Sequence, residues 1–185
     1  MTTVLLILAV ILAAALLFVV IPISTRAFLR FRGQRVVTCP ENKSVAAVEV
    51  NAARAALGAA IGQKALHLAD CSRWPEKREC GQECLAQIEA APRECLVRTQ
   101  VSRWYEGKAC VYCKRPFGEI PWDLHRPALL TAQGELVEWK DAELETLPQI
   151  LATHWPVCWD CLVTEALRRK HPELITDRPG RTHAR

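Results

Sequence analysis

Cys110-Val-Tyr-Cys113 and Cys158-Trp-Asp-Cys161 are two C-x-x-C pairs in a chain of 185 residues that holds nine cysteines. A C-x-x-C pair turns tightly enough to aim two thiolates at one point, and a second pair brought in from elsewhere closes a tetrahedral shell of soft ligands. Zinc suits that shell best, so Cys110, Cys113, Cys158 and Cys161 are the candidate ligands, provided the residues between the pairs fold back. The alternative is that the four are small buried apolar residues, or two separate thiol pairs.

The intervening residues favour the folded-back reading. Cys110 to Gly118 is a turn-rich knuckle, and Pro127 to Trp139 holds two short apolar runs hinged at Gln133-Gly134, a hairpin signal. From Cys158 to Lys170, Leu162, Val163, Ala166 and Leu167 recur at helical spacing, and Arg168, Arg169 and Lys170 complement the negative end of the helix dipole. Knuckle, hairpin and a helix led by the second pair occur in that order. Residues 108–171 thereby resemble the treble-clef class of zinc finger, which implies a fold stabilised by a structural metal but no particular function. His154, four residues before Cys158, is a candidate alternate ligand or hydrogen-bond support for one, although such a histidine is more often simply a surface or packing residue.

Other uses of the two pairs are weaker. Covalent haem attachment requires C-x-x-C-H, and Lys114 and Leu162 stand where the histidine belongs. A redox pair remains open at Cys158, because a helix start lowers a thiol pKa. Trp122-Asp123-Leu124-His125-Arg126-Pro127 resembles a loose form of the Asp-His pair and proline of HNH nucleases, whose histidine activates water. Leu124, however, separates Asp123 from His125, and the helix from Cys158 offers no Asn or His to hold a catalytic metal. Asp123 and His125 are therefore expected to fix the loop by hydrogen bonds, and no catalytic residues are assigned.

At the other end of the chain, Val4 to Ile23 is an almost unbroken apolar run of the length that crosses ~30 Å of hydrocarbon at ~1.5 Å per residue. Met1-Thr2-Thr3 carries no basic side chain, and no small-x-small cleavage site separates the run from Arg26, so residues 1–25 read as a transmembrane anchor rather than a signal peptide. Arg26, Arg30, Arg32 and Arg35 follow, making residues 26–35 a basic segment suited to anionic lipid, and the positive-inside rule puts the rest of the chain in the cytoplasm. With 24 basic against 20 acidic side chains, those four arginines equal the whole net charge of +4. The body is thus neutral, and no nucleic-acid partner is expected.

Residues 36–106 read as a hairpin followed by a helical, cysteine-rich region. Val36-Val37-Thr38 and Val45 to Val50 are β-rich runs with Cys39 at the tip between them. Ala52 to Leu68 is expected to be helical, weakened by Gly58 and Gly62, which permit close packing. Cys80 and Cys84 fall four apart, on one face if that segment is helical. With Cys71, Cys95 or Cys39 they can form a second zinc site or an iron–sulfur cluster. Buried thiols packed by Trp74 and Trp104 are the plain alternative, and disulfides a third if the domain lies outside the reducing cytoplasm.

Lys140 to Pro148 is an acidic, solvated helix face, and residues 172–185 a mobile tail. The six tryptophans (74, 104, 122, 139, 155 and 159) are expected mainly in the core. The fold class is α+β: one transmembrane helix followed by small cysteine-rich domains with a treble-clef-like knuckle, hairpin and helix. The function these features suggest is that of a single-pass protein of the cell membrane, stabilised by zinc, acting as an accessory or interaction partner of a protein in or at the membrane. A membrane-attached iron–sulfur electron carrier using the Cys71–Cys95 group is the alternative, and a thiol redox or metal-handling protein a third. An enzyme is the less favoured class.

Overall fold

The computed structural model describes residues 2–63, 66–74, 76 and 79–172, with the backbone alone at Ala13. The tail expected over 172–185 therefore lies, beyond residue 172, outside the described residues. The architecture is mixed α+β with a long apolar helix at its start. Two compact units divide it, Met1–Val101 with Glu143–Leu147, and Ser102–Ala142 with Pro148–Arg185.

The first unit begins with α1 (Thr2–Phe31), 30 residues whose large apolar side chains from Val4 to Val19 are exposed. At ~1.5 Å per residue it runs to about 45 Å, more than the ~30 Å of a hydrocarbon layer. Among the described residues it is the one helix long and apolar enough to cross a membrane. Gly33, with φ of +95°, turns the chain into β1 (Gln34–Thr38). β1, β2 (Val45–Val50) and β3 (Leu68–Cys71) form an antiparallel sheet in that order. Alternation on β2 buries Ala46, Val48 and Val50 on one face, where they join Val37, Leu68, Cys71, Cys84 and Ile88 as the core.

Three features of this unit differ from expectation. Arg35 is fully buried in β1 instead of joining the exposed Arg26, Arg30 and Arg32. The helix after β2 is short: α2 (Ala52–Ala60) starts at Asn51, whose Oδ1 accepts from the Arg54 amide at 2.9 Å. It stops where the Gln63 amide donates to Gly58 O at 2.8 Å and the Gly62 amide to Ala59 O at 3.3 Å. That pair of bonds is a Schellman cap closed by Gly62 at φ +74°. The glycines end the helix, and Leu68 passes into β3. Lastly, Cys80 and Cys84 do not share a helical face, because Gln82 at φ +56° breaks the backbone and α3 (Leu85–Ala90) begins only after Cys84. Gln82 Oε1 accepts from the Leu68 amide at 2.9 Å and so fastens that loop to β3.

The second unit takes up the chain within α4 (Val97–Tyr105). β4 (Ala128–Leu130) and β5 (Leu136–Glu138) form the hairpin expected around Gln133-Gly134, with Gly134 at φ +83° and the Thr131 amide donating to Glu135 O at 2.9 Å. A third strand, β6 (Trp155–Val157), pairs antiparallel with the other edge of β4. Before it lies α5 (Leu147–Thr153), whose first residue belongs to the first unit, and after it α6 (Trp159–Lys170). Tyr105 sits in the middle of the core, fully buried, with the rings of Trp104, Phe117 and Trp139 around it.

Candidate metal centre

The knuckle of the second unit is folded by its own backbone. The Cys110 amide donates to Arg115 O and the Lys114 amide to Cys110 O, both at 2.9 Å, while Phe117 N reaches Lys108 O at 2.9 Å. Lys114 adopts φ +61°, the left-handed conformation that turns the chain back just after Cys113 and so lets Arg115 pair with Cys110. The Val111 amide then donates to Pro156 O at 2.9 Å, which joins the knuckle to β6. β6 ends at Val157, so this bond sets Cys158 beside Cys110, and the Cys158 amide donates to Cys110 Sγ at 3.3 Å.

Cys158 is extended, with φ −76° and ψ 158°, and stands just before α6; Cys161 lies in the first turn. All four sulfurs of Cys110, Cys113, Cys158 and Cys161 lie within 4.8 Å of one another, and Cys113 Sγ is 3.7 Å from Cys158 Sγ. Thiolates bound at ~2.3 Å around a tetrahedral zinc stand ~3.8 Å apart. The cluster is thus capable of coordinating a metal ion. Cys110 is fully buried and Val157, Ala128 and Leu162 pack around it.

The charges around the cluster are graded. Arg115, through its guanidinium and its backbone amide, holds the Cys113 thiol down to about 6. The same guanidinium pairs with Asp160 at 2.6 Å, so the knuckle is tied to the first turn of α6, where an acidic side chain also meets the positive end of the helix dipole. Burial pushes the Cys158 and Cys161 thiols up, and neighbouring sulfurs push Cys161 further. A cation at the centre is what such a set requires in order to ionise together. Arg115 and Asp160 were not singled out from the sequence, although one lies two residues beyond Cys113 and the other between Cys158 and Cys161.

His154 is elsewhere: its Nδ1 is 2.8 Å from Thr153 Oγ1. His125 lies with its ring 5.9 Å from that of Trp159 and lines a shallow cavity with Cys158 and Asp160. Its amide donates to Pro121 O at 2.9 Å, and Arg126 Nε donates to Trp122 O at 2.8 Å, bonds that hold this loop.

No family model, no curated protein and no solved structure matches the chain. Its chemistry therefore has to be read from its own residues. All nine cysteines are free thiols in the structure. Of the second group, Cys39, Cys71, Cys80 and Cys84 line one cavity in the first unit, whereas Cys95 is not in that lining and points its Sγ at Gln87 O, 3.8 Å away.

Proposed function

We propose that this chain is a single-pass membrane protein whose second unit is a treble-clef-type zinc finger, and that it serves a protein in or at the membrane as an accessory or interaction subunit. The convergence of four sulfurs within 4.8 Å carries the reading. Knuckle, β4–β5 hairpin and α6 follow one another in treble-clef order, with one cysteine pair in the first element and the other at the start of the last. The zinc is structural in this reading, because four protein thiolates leave no open coordination position for substrate. Bound zinc contributes ~10–16 kcal/mol to folding of a small domain, as much as or more than the whole stability of one.

The membrane part of the reading rests on α1 and the three exposed arginines near its end, Arg26, Arg30 and Arg32. Basic residues flanking one side of a span stay on the cytoplasmic face, so the metal unit is placed there. In that compartment thiols remain reduced and available to zinc.

The test is metal analysis of full-length protein purified in detergent without chelator or added metal. Zinc that disappears in Cys161→Ser, together with the helical signal and thermal transition of the second unit, is the expected result. A Cys161→Ser protein with unchanged zinc and unchanged melting defeats the proposal. Protease protection of a carboxy-terminal epitope in sealed vesicles of known orientation checks the topology: the epitope must be cut only where the cytoplasmic face is outward.

A further inference from the structure

Four cysteines from separate stretches of the first unit line a single cavity of about 230 Å³. Each arrives by a different piece of local structure. Cys39 stands at the head of the β1–β2 loop, where its amide donates to Ser44 O at 2.8 Å and its carbonyl accepts from Lys43 N at 2.8 Å. Cys71 ends β3, opposite Val48 on the buried face of the sheet. Cys80 lies in the loop fastened to β3 through Gln82, and Cys84 immediately precedes α3. A hydrophobic core has no need to collect four sulfurs from four such places around one space.

We infer that Cys39, Cys71, Cys80 and Cys84 form a second tetrathiolate metal centre, independent of the one at Cys110, Cys113, Cys158 and Cys161. Its ligand is a thiophilic metal, as zinc or as an iron–sulfur cluster, since both are held by four cysteine thiolates.

Two observations support the assignment beyond the shared cavity. A backbone amide is already turned toward one of the sulfurs: the Gln82 amide donates to Cys80 Sγ at 3.4 Å. Such a bond is weak to a neutral thiol and strengthens when the sulfur is ionised. The other charged side chains of the lining are Glu41, Glu83 and Arg73, so ionised sulfurs leave the cavity anionic and in want of a cation. Cys95 is then left as the ninth cysteine, outside both sets.

The experiment compares full-length wild type with Cys80→Ala, Cys80→His and Cys110→Ala/Cys113→Ala, each purified aerobically and anaerobically in detergent without chelator. Cys80 is only half-buried and lies in a loop, so its truncation leaves the sheet core in place. Two zinc per wild-type chain, one in Cys80→Ala, two again in Cys80→His and one in the Cys110/Cys113 variant support a zinc centre. Iron with acid-labile sulfide and a broad absorbance near 400 nm, retained in the Cys110/Cys113 variant and lost from Cys80→Ala, support the same thiolates holding a cluster. A Cys80→Ala protein with the metal content and spectrum of wild type overturns the second centre, whatever the Cys110/Cys113 variant does. Loss of all metal on mutating Cys110 and Cys113 alone overturns it too.

Discussion

The guanidinium of Arg35 donates to the carbonyl oxygen of Phe31, the last residue of α1, at 2.6 Å. The same side chain donates to Gly33 O and Arg30 O, each at 2.8 Å. A helix ends with carbonyls that have no intrahelical partner, and here a buried arginine four residues on satisfies them. Burial pushes its pKa down, and a guanidinium keeps its charge in proteins. The membrane-type helix is thereby locked to the first strand of the sheet.

Arg35→Met should therefore be among the most damaging changes in the first unit. It leaves three carbonyls without a donor, and hydrogen bonds to a charged group are worth ~1.5–3 kcal/mol each before the remaining partners relax. The expected loss is about 3 kcal/mol, read from denaturant midpoints of full-length protein in micelles. Arg35→Lys should recover little of it, since an ammonium lacks the planar fork that reaches several acceptors. A change below about 0.5 kcal/mol in Arg35→Met would refute the capping role.

The close of α2 depends on its two glycines in different ways. Gly62 needs its positive φ, and an L side chain there costs about 1 kcal/mol even though nothing lies within 4 Å of its added Cβ. At Gly58 a Cβ would meet the backbone oxygen of Gln63 at 2.9 Å, a contact only a shift of the cap can relieve. Gly58→Ala should thus lose at least as much stability as Gly62→Ala, in spite of alanine's better helix propensity. Thermal unfolding of the two variants decides it: a Gly58→Ala protein more stable than wild type is incompatible with this cap.

The C-x-x-C pairs, the β1–β2 hairpin and the Gln133-Gly134 turn were legible because each is a local signal of residue type and spacing. β3 and β6 were not. They are four and three residues long, and neither carries an alternation of its own. Trp155-Pro156-Val157 even contains a proline, which a central strand excludes, and it is accommodated at the edge of the sheet against β4. Its pairing is non-local, yet it is what delivers Cys158 to the knuckle. Arg35 misled for the opposite reason. One more arginine beside a basic cluster is indistinguishable by sequence, and only the turn at Gly33 folds it back under the helix end. At Cys80 and Cys84 the spacing suggested a helix, whereas Gln82 in the left-handed region breaks it, and nothing in a glutamine announces that conformation.

Lys114 occupies a left-handed position in the knuckle, with φ +61°. For a residue with a Cβ this conformation costs roughly 1–2 kcal/mol. Lys114→Gly relieves that strain at the expense of greater freedom in the unfolded chain, and the net gain should be about 0.5–1 kcal/mol. Lys114→Val should lose at least that amount, since β-branched residues are the least tolerant of positive φ. Melting temperatures of the zinc-loaded variants should rank Gly above Lys above Val. An equal melting temperature for all three would mean that the turn relaxes to negative φ in solution.

Tyr105 provides a prediction with a pH signature. Its buried hydroxyl donates to Ala128 O at 2.8 Å and accepts from Trp139 Nε1 at 3.2 Å, so it joins α4 to β4 and to the residue after β5. Tyr105→Phe leaves both partners buried or half-buried without it and should cost about 1–3 kcal/mol at pH 8. Burial raises the phenol's pKa in the folded protein above its ordinary 10.0. A raised acid contributes stability that is complete below the unfolded pKa, here ~10, and is lost as pH climbs from there toward the folded value, because the unfolded phenol ionises first. Wild type should therefore forfeit on the order of 1 kcal/mol by pH 11, which the phenylalanine variant keeps. The gap between the two proteins, measured by denaturation at pH 8 and pH 11, should narrow by that amount, and subtraction removes the alkaline titration of every other group they share. A gap that is constant over this range would show that Tyr105 is accessible to ionisation in the folded chain, against its complete burial.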